Sequence, residues 1–141
     1  MIHTILSILI SLYFFSSFFG NPKLEIRITE ANSDKGMIRI LIFSKENGFP
    51  DQPETAVKSY SISPQNKSCS LAISDLPPGR YAVSVIHDED MNGKLSFNIV
   101  GYPTEKFGFS NNPKVYFSPP SFEKAAFDMK SENKLLQINL R

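Results

Sequence analysis

Asp88, Asp90 and Asn92 stand two residues apart and are followed by Gly93. This order reproduces the D-x-D-x-N-G opening of an EF-hand-like calcium loop. The spacing works because oxygen-bearing side chains at alternate positions of a tightly curled loop converge on one centre, while a glycine permits the sharp turn that brings the next carbonyl inward. Leu95 falls at the loop's apolar eighth position. The twelfth, where a bidentate glutamate completes such a cage, holds Ile99, so Ser96 and Asn98 are the candidate neutral ligands. Two carboxylates with neutral oxygens bind Ca2+ weakly, at about 0.1 to 1 mM, the range of extracellular modules. The alternative reading is a solvated hairpin tip, since Asn-Gly is a common short turn and acids there require no ion.

The other chemistry-bearing residues are sparse. His87 abuts Asp88, but adjacent residues of a strand point to opposite faces, so the two do not form a ready dyad. No nucleophile elbow, H-E-x-x-H, P-loop, G-x-G-x-x-G or C-x-x-C motif occurs, and a lone Cys69 beside His87 is no structural zinc centre. A secreted hydrolase remains open only through Asp88, Asp90 or Glu105. A segment dense in rings and amides, with Tyr102, Glu105, Phe109, Asn111, Asn112 and Tyr116, has the chemistry of a glycan- or peptide-binding platform. The same rings, with Phe107, Phe117 and Phe122, serve equally as a satellite core over the end of a sandwich.

The elements that position these residues read as strands. Leu24, Ile26 and Ile28 alternate with Glu25, Arg27 and Thr29, and Asn32 to Gly36 turns the chain into Met37 to Ser44, so the two strands read as a hairpin. Ala56 to Ile62 and Ser68 to Ile73 read as strands around Pro64-Gln65-Asn66. The rigid turn Leu76 to Arg80 launches Tyr81 to Asp88, which the acidic turn links to a partner at Leu95, Phe97 and Ile99. Val100 to Ser121 reads as an ordered, aromatic loop, Ser121 to Phe127 as at most a single helical turn, and Phe127 to Met129 with Leu136 to Leu140 as a last hairpin. Short strands with frequent turn signals and no sustained helical period predict an all-β fold: an antiparallel β-sandwich of about seven or eight strands, immunoglobulin-like or transthyretin-like.

Four segments appear in order: His87 to Leu95, Gly101 to Glu105, Gly108 to Asn112 and Pro119 to Phe127. Together they resemble the bacterial exported-protein family catalogued as domain of unknown function 2141, over about Leu24 to Arg141. The resemblance implies a signal-bearing β-sandwich and no assigned activity. Where that family typically carries an acid after Gly-Lys-Leu, this chain has Ser96 and Asn98.

Ile5 to Phe19 contains no charged side chain. A run of roughly 15 apolar residues suits a signal-peptide core and is short for a bilayer span. Residues 1–20 are therefore expected to be a signal peptide or an uncleaved anchor, and 22–141 a single exported domain, in the periplasm, on the outer surface or secreted. Membrane contact is expected only through 1–20 if uncleaved, and a glycan or envelope component is the expected kind of partner. Lys plus Arg number 15 against 14 Asp plus Glu, which leaves no footprint for nucleic acid. With one cysteine no internal disulfide forms, so core burial among 12 phenylalanines and the aliphatic residues must hold the fold. The leading expectation is a non-catalytic binding or structural module.

Overall fold

The computed structural model describes residues 21–141; the expected signal segment, 1–20, lies outside them. Among the described residues eight strands make two sheets that are almost entirely antiparallel, with one short α-helix and a single 3-10 turn at Pro53–Thr55. β1 (Leu24–Thr29) is the centre of a three-stranded sheet in the order β4-β1-β8, with β4 (Cys69–Ile73) and β8 (Lys134–Asn139) as neighbours. The second sheet runs β3-β2-β5-β6, built from β2 (Met37–Phe43), β3 (Lys58–Ile62), β5 (Gly79–Asp88) and β6 (Phe107–Phe109), with β7 (Phe127–Met129) also on β5. The helix α1 (Phe122–Ala125) is one turn, capped by the Ser121 hydroxyl, which accepts from Lys124 N.

The alternation read from the sequence identifies the core. Leu24, Ile26 and Ile28 of β1 are fully buried against Ile38, Ile40 and Ile42 of β2 and Val83 and Val85 of β5, with Ile138 and Leu140 completing the layer. Leu71 is half-buried at its margin, beside Cys69. β5 departs from simple alternation because both of its faces are covered. Tyr81, Val83, Val85 and His87 face the main core, whereas Ala82 belongs to a second cluster with Phe43, Phe109, Phe122, Ala125 and Ala126. Phe49 lies edge-on to Phe43 and Phe122, so the loops after β2 and β6 roof the outer face of the sheet with rings. The aromatic loop is thus in part the satellite core.

Strand pairing corrects the expected hairpins. β1 and β2 lie in different sheets, as do β3 and β4, and β7 and β8; each connection arches from one layer to the other. Inward alternation is the same for a hairpin and an arch, and two layers about 10 Å apart are bridged by a short loop, so period two does not choose between them. β1 and β8 are parallel, Leu24 facing Lys134 and Thr29 facing Asn139. Leu95 to Ile99 is not a strand: only an isolated bridge joins Phe97 to Pro103, and Phe97 and Ile99 are exposed. The edge of β5 they were expected to fill is taken by β6, with His87 N donating to Lys106 O at 2.8 Å.

β6 also closes the sandwich onto β8. Phe107 and Arg141 exchange main-chain hydrogen bonds at 3.2 and 3.0 Å. A Cβ at Gly108 would stand 2.8 Å from Ile138 Cγ2, which requires glycine there. Truncating Ile138 to Ala is expected to cost about 2 to 4 kcal/mol, because its fully buried side chain leaves a cavity between both sheets; chemical denaturation of the two proteins measures it.

Candidate cation site at the acidic turn

β5 delivers Asp88 to the end of the sandwich, opposite Met37 of β2, with its side chain fully buried. Gly36, at φ 68°, lies so near that a Cβ on it would be 2.1 Å from the Asp88 carbonyl oxygen. The chain then curls tightly, through positive φ at Met91 and Gly93. The curl is organised by carboxylates that accept main-chain N–H groups. Asp88 Oδ1 accepts from Asn92 N at 3.1 Å, and Oδ2 accepts from Gly93 N at 2.9 Å and from the Arg39 guanidinium. Asp90 Oδ1 accepts from Asn92 N at 3.1 Å; its Oδ2 accepts from Asn92 Nδ2 at 3.0 Å and the Ser96 hydroxyl at 3.1 Å.

Glu105 completes the arrangement from the far end of the loop. Its Oε1 accepts from Glu89 N at 2.9 Å and Asp90 N at 3.4 Å, and its Oε2 from Ser96 N at 3.1 Å. One carboxylate oxygen from each of Asp88, Asp90 and Glu105 lies within 4.8 Å of the others. Each oxygen has two lone pairs. The hydrogen bonds above leave one uncommitted on Asp88 Oδ1, on Asp90 Oδ1 and on Glu105 Oε2. Among the described residues one cationic side chain, Arg39, is paired with these three acids.

Burial alone pushes the Asp88 carboxyl upward. The Arg39 hydrogen bond and the Gly93 N–H outweigh it and hold the group below the ordinary carboxylate value. Nearby, the Ser33 hydroxyl chiefly holds Glu89 below its ordinary value too; burial opposes it and the Asn32 amide adds to it.

The expected ligands are redistributed. Asn92 and Ser96 join the turn, but Asn98 caps a separate one, its Oδ1 accepting from Val100 N and Tyr102 N at 3.0 Å each. Glu105, read from the sequence as part of the aromatic platform and, with Asp88 and Asp90, as one of three candidate hydrolase carboxylates, joins the turn where Ile99 supplies no acid; no spacing rule ties a residue 15 positions on to Asp90 as a ligand of the same loop. Of the platform, Tyr102 and Tyr116 are exposed and Phe109 is buried in the second cluster. The amides of Asn111 and Asn112 are bonded to main chain, to Ala126 O at 2.7 Å and Gln137 O at 2.8 Å respectively. Asn112 Oδ1 also accepts from Asn139 N, so this side chain serves the edge of β8 as a strand would.

His87 and Asp88 take opposite faces of β5, as adjacent strand residues must. His87 Nδ1 accepts from Asn32 N at 3.2 Å, which assigns the proton to Nε2, 2.8 Å from Lys35 O. Cys69 is half-buried, and burial pushes its thiol up to about 11, leaving it without thiolate character near neutrality.

These features define a two-layer β-sandwich module with an acid-lined turn at one end. The chain belongs to the family described as "uncharacterized protein conserved in bacteria", domain of unknown function 2141, whose model matches residues 26–137. The searches of curated proteins and of solved structures return no match.

The lowered Asp88 value fixes the sign of a pH effect. A carboxyl that ionises more readily when folded contributes stability above its unfolded pKa, and that contribution disappears as pH falls through the folded value. Thermal unfolding is therefore expected to show stability falling below about pH 4, with Asp88→Asn less stable than wild type at neutral pH and less sensitive to acid in that window.

Proposed function

We propose that this chain is an exported, non-catalytic binding or structural module whose acidic turn takes up a divalent cation, with calcium favoured by donor chemistry. The observation that carries the cation reading is the convergence of three carboxylates, two from the start of a loop and one from its end, against a single guanidinium. All the ligands are hard oxygens, which suit calcium better than a softer transition metal. An ion held there clamps Asp88 and Asp90 to Glu105 and so ties the ends of the intervening loop together. Engagement of both His87 ring nitrogens supports the non-catalytic reading. The uncharged run from Ile5 to Phe19 supports export.

Calcium at ten times its dissociation constant adds about 1.4 kcal/mol by mass action, provided the unfolded chain binds none. About 5 to 10 mM calcium is expected to raise the melting temperature of the wild-type protein by a few degrees. Magnesium should do less, because it demands a tighter octahedral shell. Asp90→Ala and Glu105→Gln are each expected to remove most of the calcium response. Equal shifts in wild type and both variants would overturn the site.

A further inference from the structure

β4 ends its sheet, and it lies on the side of the sandwich away from the β6–β8 closure. The two layers are not sealed there: Cys69 and Leu71 of β4, with Tyr60 and Ile62 of β3, are only partly buried against the core. Among the described residues no main-chain group from Cys69 to Ile73 bonds outside its ladder with β1, so the N–H and C=O groups on the outer edge of β4 are unpaired. Sheet edges are ordinarily blunted by charge, by proline or by a covering segment. The other terminal strands comply. β3 begins at Lys58, β8 begins at Lys134 and is clipped by the Asn112 amide, and β6 exchanges bonds with Arg141. From Ser68 to Ser74 there is neither a charge nor a proline.

We propose that β4 pairs antiparallel with β4 of a second copy of this chain, about a two-fold axis at Leu71, so that the two three-stranded sheets join edge to edge. The choice of occupant rests on the order of residues. Ser68-Cys69-Ser70-Leu71-Ala72-Ile73-Ser74 has nearly the same character read in either direction. An antiparallel pair centred on Leu71 sets Cys69 against Ile73 of the second copy, Ser70 against Ala72, and Leu71 against its own counterpart. Apolar side chains then meet apolar ones on the inner face, small ones meet small ones on the outer face, and no like charges are opposed. A two-fold axis perpendicular to the sheet keeps both inner faces on one side, so the partly buried Cys69 and Leu71 gain cover. A partner of different sequence would need none of this symmetry. A ladder this short makes a weak, concentration-dependent dimer, and it makes no use of the acidic turn.

Ser70 and Ala72 are exposed, so charges placed on them stay out of the core. In the proposed register position 70 of each copy faces position 72 of the other. Sedimentation equilibrium of the full chain, with a reductant present throughout, is expected to show a dimer that dissociates on dilution. Ser70→Glu combined with Ala72→Glu opposes like charges twice across the ladder and should weaken association at least about tenfold. Ser70→Glu combined with Ala72→Lys opposes unlike charges and should restore it, with the melting temperature of each variant in dilute solution verifying the fold. A single-chain mass for the wild type up to about 1 mM would overturn the proposal. So would equal association of the wild type and both variants, which assigns it to another surface or to residues 1–20, or equal weakening in both variants, which excludes this register.

Discussion

β5 has to be covered on both faces and along both edges, and much of the architecture follows from meeting that requirement. Its ten residues traverse the sandwich, with β2 along one edge. No single strand covers the other. β7 pairs with Gly79 to Tyr81 and β6 with Ser84 to Ile86, so the chain returns to the same edge twice. Between those visits it forms the aromatic roof. A strand buried on both faces cannot alternate polar with apolar, which is why Ala82, Ser84 and Asp88 are as sheltered as Val83 and Val85. Placing a carboxylate at the end of such a strand forces the protein to find partners for it, and Arg39 with the main chain of the curl supplies them.

Side-chain period showed which residues face inward, and it did so well for β1, β2 and the inner face of β5. It was silent on neighbours. The alternation of Leu24, Ile26 and Ile28 is satisfied whether Asn32 to Gly36 folds back within one sheet or crosses to the other, and the chain crosses. The parallel β1–β8 ladder joins segments more than a hundred residues apart, with no local signal for either partner. At the site, Asp88, Asp90, Asn92 and Ser96 were legible because the curl is local. Glu105 was legible as an acid to set beside Asp88 and Asp90 but not as part of this curl, since only the loop's return brings it back. Asn98, by contrast, was drawn into the set by spacing alone, when its side-chain Oδ1 was needed by the next turn.

The hydrogen bonds within the turn fix its three carboxylates without any further partner. The main-chain donors hold the carboxylates in place, so the curl is ordered by its own backbone. The repulsion among the three acids is relieved in part by the Arg39 guanidinium and by the main-chain N–H groups that their oxygens accept.

The parallel pairing of β1 with β8 has a consequence in time. β1 is among the first parts of the domain to be synthesised, yet one of its two edges stays bare until Lys134 to Asn139 has been made. Until then Ile26 and Ile28 lack the layer formed by Leu136 and Ile138. A nascent chain is thereby kept from closing prematurely, since contacts of such wide sequence separation form late and slowly. Through that interval the chain holds an open, incompletely packed half-sandwich whose bare β1 edge and apolar face can still be rearranged.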